Sequence, residues 1–547
     1  MGNSNSSPPP EPKEEENDID FNETTTEAPP PVEPRADPDI TENVEGSSTY
    51  SEYKVTSDFD EIRDAIHKKS EEEGKSYVYR DVDFPSETKS LYYTSRAPAN
   101  WRDIEWKRPK DISSSPRLTK DGTSSEDIRQ GMLGNCWFLA SCAAISRSPK
   151  YLKKVIPEDQ VMQGADYVGM FHFRFWRFGK WVDVIVDDAL PTIRGSLCFG
   201  KSSDRSEFWL PLVEKAYAKL HNSYQAIEGG FTQDGMEDLT GGIVMSYDLG
   251  NKTPDNLFAV LKKAMKYDSF ACAGIEGTTE SVDKNTGLVS AHAYAVLQVA
   301  KVAYRGAYVN LVKLRNPWGS STEWKGDWSD ESHTWDFVSE DVKRSMHVDK
   351  DNGQWWMTFD DLSHFFTDLT ICTVGPDFDS DGAPTGDRWL RSTINGEWVT
   401  GKTAGGSRND LYSYETNPQY FMELREPDDF DPVEDEPEEE GKCSIVLGLM
   451  QEYRRVARSK GVENLYLSVN IFRVSERPTR KLDARYFSRN YEVMSSGSYI
   501  NRREVTITGL LSPGYYVIVP STFYASKSGT FLLRIFTEKP VDLEQLH

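Results

Sequence analysis

Cys136, His292 and Asn316 are the residues whose types and order could do nucleophilic chemistry. Cys136 heads an apolar, helix-compatible run, Cys136-Trp137-Phe138-Leu139-Ala140, which puts its thiol at a predicted helix N-terminus. The positive end of a helix dipole favours the thiolate, and the thiolate is the form that attacks carbonyls. Six residues upstream, Gln130 offers an amide donor that could hold an oxyanion together with the Cys136 backbone N–H. Gly131 and Gly134 leave this loop free to approach a ligand closely. Taken singly, each residue has a plainer use. A free cysteine is commonly a small buried hydrophobe, a histidine among small residues is commonly structural, and an Asn that ends a strand is commonly a turn former.

What joins them is the set of elements that must carry them. Ala291-His292-Ala293-Tyr294-Ala295-Val296-Leu297 is a β-prone run, 156 residues after the cysteine. A second predicted strand, Val309 to Arg315, ends at Asn316-Pro317-Trp318-Gly319, where Asn-Pro and glycine stop it. A thiol on a helix start, followed in the chain by a histidine and an asparagine on adjacent strands, is the order used by papain-like thiol proteases. There the asparagine fixes the imidazole tautomer, the imidazole holds the thiolate as an ion pair, and the thiolate forms an acyl-enzyme.

The 547 residues exceed a single core, and 37% hydrophobic with 12% aromatic content supplies several. A net charge of −25 argues against nucleic acid as a partner. Six cysteines without paired spacing fit free thiols in a reducing compartment, and neither a signal peptide nor an 18-residue apolar run is present, so an intracellular, cytoplasmic protein that spans no membrane is expected. Residues 1–60 carry 16 acidic and 3 basic residues, about half of the net charge, and few large apolar ones, which predicts a disordered acidic tail. Its opening Met1-Gly2-Asn3-Ser4-Asn5-Ser6 fits the acceptor pattern for N-myristoylation at Gly2. One acyl chain without a basic cluster gives only weak, reversible attachment at a membrane periphery.

Further motifs make the resemblance specific: Gln130 to Phe138, Phe208-Trp209 with Glu214 to Lys219, Gly287 to Tyr294, Leu314 to Gly319, Glu323-Trp324, Trp328-Ser329-Asp330, Asn417-Pro418-Gln419, and Val519 to Phe523. Over roughly 75–540 the chain resembles the calpains, intracellular calcium-dependent cysteine endopeptidases that cut proteins at a few places. The resemblance implies an α+β, two-lobed papain-like core with the cysteine lobe at 61–225 and the His/Asn lobe at 226–376. A linker at 377–387 and a C2-like antiparallel β-sandwich at 388–547 would follow. Period-two alternation in Phe531 to Phe536, with turn signals near Gly509 and Pro513-Gly514, fits the sandwich.

Carried over by motif, Cys136 is the nucleophile, His292 the general base and acid, Asn316 the orienting residue and Gln130 the oxyanion donor. Ca2+ is the implied cofactor. A first-lobe site would use backbone carbonyls of Lys120 and Gly122 with the carboxylates of Asp127 and Glu207, and Lys120 departs from the aliphatic residue usual there. A second would use Glu323, Asp330, Asn352 and Gln354, where the last two are neutral in place of the usual carboxylates, so low affinity is expected. Trp318 resembles the tryptophan that occupies the family's cleft without calcium. Asp377 to Gly382 imitates an EF-hand loop, but Arg388 stands at its twelfth position and Pro384 interrupts it, so it reads as linker. The acidic run Asp428 to Glu440 is a solvated loop or, by resemblance, a calcium or lipid-headgroup contact. No EF-hand block follows the sandwich, so the family's small subunit has no expected seat. Protein substrates are implied. A catalytically silent calcium- or membrane-binding scaffold is the alternative, although such members usually lose one of the three residues, and a transglutaminase-like acyltransferase would prefer Asp to Asn316.

Overall fold

The computed structural model describes residues 57–120, 122–266, 268–319, 322–346, 352–373, 390–430, 439–452 and 454–547. Residues 1–56 of the acidic tail, with Gly2, the 377–387 linker and most of the 428–440 run lie outside them, while residues 57–60, expected to belong to the tail, begin a helix. The chain mixes helices with antiparallel sheets, and among the described residues no helix is long and apolar enough to cross a membrane.

The N-terminal part opens with the amphipathic helix α1 (Ser57–Glu73), which lays Phe59, Ile62 and Ile66 against Val168 and Met170. Strand β1 (Glu105–Lys107) then precedes α2 (Cys136–Ile145), every residue of which is buried. A helix apolar on all sides needs cover on all sides. The hairpin β2 (Met170–Arg177) and β3 (Lys180–Asp187) turns on Phe178 and Gly179, both with positive φ, the geometry a tight hairpin needs. After β4 (Leu190–Ile193), which pairs with β1, α3 (Trp209–Leu220) stacks Tyr217 face to face on Phe138, with centroids 4.0 Å apart. Helix α4 (Thr232–Thr240) follows, and its Met236 and Leu239 belong to the same core as α2.

The next strands and helix are β5 (Ile243–Asp248), α5 (Leu257–Lys266), β6 (Phe270–Ile275), β7 (His292–Tyr304), β8 (Ala307–Arg315), β9 (Gln354–Thr358) and β10 (Asp368–Thr373). The six strands form one antiparallel sheet in the order β9-β8-β7-β6-β10-β5. Strand alternation gives this sheet two apolar faces. Ala293, Ala295 and Leu297 face the α2 core, while Tyr294 and Val296 join a second core with Leu257, Leu261, Leu314 and Trp355. The strand bearing His292 therefore packs directly over the helix bearing Cys136.

The C-terminal strands are β11 (Leu390–Trp398), β12 (Tyr420–Leu424), β13 (Cys443–Gln451), β14 (Leu467–Val474), β15 (Met494–Ser495), β16 (Glu504–Leu511), β17 (Gly514–Thr522), β18 (Gly529–Thr537) and β19 (Val541–Gln545). They make two antiparallel sheets, β11-β18-β13-β16 and β15-β14-β17-β12-β19, with Leu447, Leu449, Leu533 and Ile535 meeting Val469, Ile471 and Ile518 between them. Pro513 and Gly514 turn the chain as expected. Gly509 instead lies inside β16, opposite Ile445, where a Cβ would stand 2.6 Å from Met494 Cε. The outward face of β18 is not solvated: Leu532 packs with Trp176, and Phe536 with Ile243, so this sheet docks on the N-terminal part. Arg534 pairs with Glu504 and donates to the Gly241 carbonyl at 3.1 Å, which satisfies a buried charge at that junction.

Candidate active site

Cys136 is the first residue of α2 and is 9% exposed. The turn before it is held from below: Asn135 Nδ2 donates to Glu214 Oε1 at 2.7 Å, and the Gly200 N–H donates to Glu214 Oε2 at 2.9 Å. Complete burial pushes the Glu214 carboxyl up to about 7, although both donors favour its charged form. Upstream, the Met132 N–H donates to the Cys198 carbonyl, and a Cβ on Gly131 would overlap the Phe199 carbonyl oxygen. The freedom of Gly131 thus serves an approach to the protein's own backbone.

His292 opens β7, opposite Ile275. Ala291 before it has φ +52°, a left-handed conformation uncommon for a residue with a Cβ, and this bend turns the chain from the short 281–290 hairpin into the sheet. The imidazole is enclosed on several sides. Its Nε2 lies 2.8 Å from Asn316 Oδ1, its Nδ1 lies 3.0 Å from Glu280 Oε1, and Trp318 packs beside it with ring centroids 5.0 Å apart. Among the described residues, one group of three His, Cys, Asp or Glu donor atoms lies within 4.8 Å of one another: those of Cys136, Glu280 and His292. Burial drives the imidazole toward neutrality, but the Cys136 sulfur, then Glu280 and Asn316, outweigh it and hold the ring protonated up to about 9.

Asn316 follows the last residue of β8, and its amide orientation is fixed by three contacts. Oδ1 accepts from His292 Nε2 and from the Trp318 N–H at 3.0 Å, while Nδ2 donates to the Thr322 carbonyl at 3.0 Å. The structure therefore brings Cys136, His292 and Asn316 together. Gln130 lies on the same loop as the cysteine, and its backbone N–H donates to the Pro317 carbonyl at 2.8 Å, tying it to the Asn316 turn. Its side-chain Nε2 donates to the Leu133 carbonyl at 2.8 Å, which leaves one of the two amide hydrogens for another acceptor.

The expected calcium ligands fall in two places. At the first, the Lys120 N–H donates to Glu207 Oε1 at 2.9 Å, Ser202 Oγ donates to Glu207 Oε2 at 2.5 Å, and Asp127 caps its own turn by accepting from the Ser124 N–H at 2.7 Å. The Lys120 ammonium pairs with Asp204 at 2.6 Å. Burial, with the nearby charges of Asp127 and Asp204 adding to it, pushes the Glu207 carboxyl up to about 7. Gly122 has φ +95°, which turns the loop between them. At the second place, Glu323 Oε1 accepts from the Gly353 N–H at 2.6 Å, Asn352 Oδ1 accepts from the Gln354 N–H at 2.9 Å, and the Gln354 amide donates to Glu126 at 3.3 Å. Asp330 and Glu323 line a cavity of about 750 Å³ with Tyr304, Asp327 and His333.

Two residues of this region escaped the sequence reading. Glu280 comes to His292 through hairpin register, since Ser281 opposite Ser290 sets residue 280 beside Ala291. Arg315 is fully buried and donates to the Ile128 carbonyl at 3.0 Å and the Asn352 carbonyl at 2.9 Å, so one guanidinium joins both loops of expected calcium ligands. An arginine at the buried end of an apolar strand was the available signal for it.

Residues 79–373 match the model of the calpain family cysteine protease, and 394–536 that of the calpain large subunit, domain III. The class is that of the cysteine peptidases. The chain is 38% identical over 512 residues to Calpain-A of Drosophila melanogaster, covering 92% of this chain and 60% of that one. It is 38% identical to Calpain-B of the same fly (89% and 52% covered) and 38% identical to the calpain-2 catalytic subunit of Bos taurus (85% and 67%). The chain belongs to the calpain family. It spans between about half and two thirds of the length of these relatives.

Proposed function

We propose that this chain is a calcium-dependent cytoplasmic endopeptidase that performs limited proteolysis of proteins through Cys136, His292 and Asn316. One observation carries the reading: the His292 ring stands between the Cys136 sulfur and the Asn316 amide oxygen, and stays protonated up to about 9. A thiolate beside an imidazolium attacks the scissile carbonyl, the imidazolium then protonates the leaving amine, and water, activated by the neutral imidazole, releases the acyl group. Gln130, with one amide hydrogen uncommitted, and the Cys136 N–H are the proposed oxyanion donors. Trp318, packed beside the imidazole, would shield the Asn316 hydrogen bond from water.

Carboxylates crowded in a half-buried loop suit a hard cation, and Glu207, Asp127 and the carbonyls of Lys120 and Gly122 would hold calcium in the first lobe. Calcium held there would supply the charge that lets these carboxylates coexist, on the loop that leads from Asp127 to Gln130. In the second lobe Asn352 and Gln354 already serve protein partners and contribute no charge, so weaker binding through Glu323 and Asp330 is proposed there. The C-terminal sandwich is proposed to be C2-like, and it and an acylated Gly2 to give weak membrane attachment.

The test is hydrolysis of an unfolded protein with and without calcium. Cutting that needs calcium and disappears in Cys136→Ala supports the reading, and no cutting at any calcium concentration refutes it.

A further inference from the structure

The contact between His292 and Glu280 has a consequence beyond catalysis. Because Asn316 Nδ2 donates to the Thr322 carbonyl, its Oδ1 must face His292, and Nε2 must carry the hydrogen between them. Nδ1 is then the nitrogen left facing Glu280 Oε1 at 3.0 Å. A nitrogen lone pair and a carboxylate oxygen that close repel unless a positive charge lies between them. A proton satisfies that requirement, and so does a metal ion. The third donor, the Cys136 sulfur, lies within 4.8 Å of a His292 ring nitrogen and of a Glu280 carboxylate oxygen.

We propose that Cys136, His292 and Glu280 form a binding site for a thiophilic divalent cation of the zinc class, whose occupancy caps the nucleophile and shuts the enzyme off. Zinc takes sulfur at about 2.3 Å and nitrogen or oxygen at about 2.0–2.2 Å, which sets tetrahedral donors roughly 3.3–3.6 Å apart. The three atoms lie within 4.8 Å of one another, so tetrahedral spacing requires them to draw together, and Glu280, exposed at the base of a two-residue-paired hairpin, is the ligand placed to do so. The cation takes the place of the proton on His292 Nδ1, which passes to solvent, the cysteine binds as the thiolate it already is in the ion pair, and the fourth position stays open for water. Asn316 acts as the outer hydrogen bond that orients a metal-bound imidazole. Thiolate and imidazole select zinc over calcium, so the all-oxygen loops and this site take different ions.

Inhibition by the metal rests on the proposed protease reading, whereas binding does not, and two readouts separate them. The full chain, stripped with chelator and desalted, is titrated with Co2+ and followed by the thiolate-to-cobalt charge-transfer band and the visible bands of a tetrahedral site. One cobalt per chain is expected, displaced by Zn2+, lost in Cys136→Ser, and bound at least about tenfold more weakly in both Glu280→Gln and Glu280→Ala. In peptide hydrolysis at fixed calcium, the zinc concentration for half inhibition, taken relative to each variant's own zinc-free rate, should rise by a similar factor. Absence of the band, its survival in Cys136→Ser, or unchanged affinity in both Glu280 variants overturns the metal site. A band with the expected variant pattern in a chain that hydrolyses nothing leaves the site standing and refutes the protease reading alone.

Discussion

Asn316→Ala isolates the contact that orients the imidazole. In the folded chain Asn316 Oδ1 accepts from His292 Nε2 at 2.8 Å, in a buried setting where the ring carries a positive charge through neutral pH. A hydrogen bond with one charged partner contributes about 1.5–3 kcal/mol. Its loss, felt in the transition state where the imidazolium delivers its proton, should lower kcat/KM by about 10- to 150-fold. Most of the fall should appear in kcat, because the asparagine touches the ring and not the substrate. Asn316→Asp should recover only part of it. The oxygen replacing Nδ2 would face the Thr322 carbonyl, which accepts a hydrogen there now. The assay is hydrolysis of a fluorogenic peptide at saturating calcium, with thermal unfolding as a check that each variant is folded. A loss of less than threefold in a folded Asn316→Ala, or a loss confined to KM, would refute the reasoning.

Three further outcomes follow from the same geometry. The pair of Cys136 and His292 needs the imidazolium, which is favoured below the ring's raised value and lost above it, so kcat/KM should fall on the alkaline side with an apparent midpoint about 9; a midpoint near the ordinary imidazole value would contradict this. Arg315→Met removes the donors to the Ile128 and Asn352 carbonyls and should raise the calcium needed for half-maximal hydrolysis at least about tenfold, with an unchanged requirement as the refuting result. Glu207 has a carboxyl raised to about 7, so in calcium-free chain its ionisation costs stability progressively from its ordinary value near 4.5 up to 7 and throughout above it. Glu207→Gln should therefore melt higher than the parent at pH 8 without calcium while needing more calcium for activity, and a lower melting temperature there would count against the crowded-carboxylate account.

The sequence made some of this plain and hid the rest for physical reasons. Helix, strand and strand end were readable at Cys136, His292 and Asn316 because apolar run, β-prone run and Asn-Pro stop are local signals. The alternation of Phe531, Leu533 and Ile535 likewise predicts β18, but it cannot say that Leu532 and Phe536 on the other face are covered by Trp176 and Ile243. Gly131 invites a ligand on paper, yet its space is taken by the Phe199 backbone, a contact across 68 positions that no local pattern announces. Glu280 and Arg315 act through hairpin register and through loops far away in the chain, so their roles emerge only from the fold.

The most direct test of the central claim, that the fold sets one thiol apart by pairing it with His292, is labelling by a peptidyl vinyl sulfone followed by mass spectrometry of all six cysteines. The account predicts modification of Cys136 alone, dependent on calcium and lost in His292→Ala. Label spread over the other cysteines, or undiminished at Cys136 in His292→Ala, would contradict it.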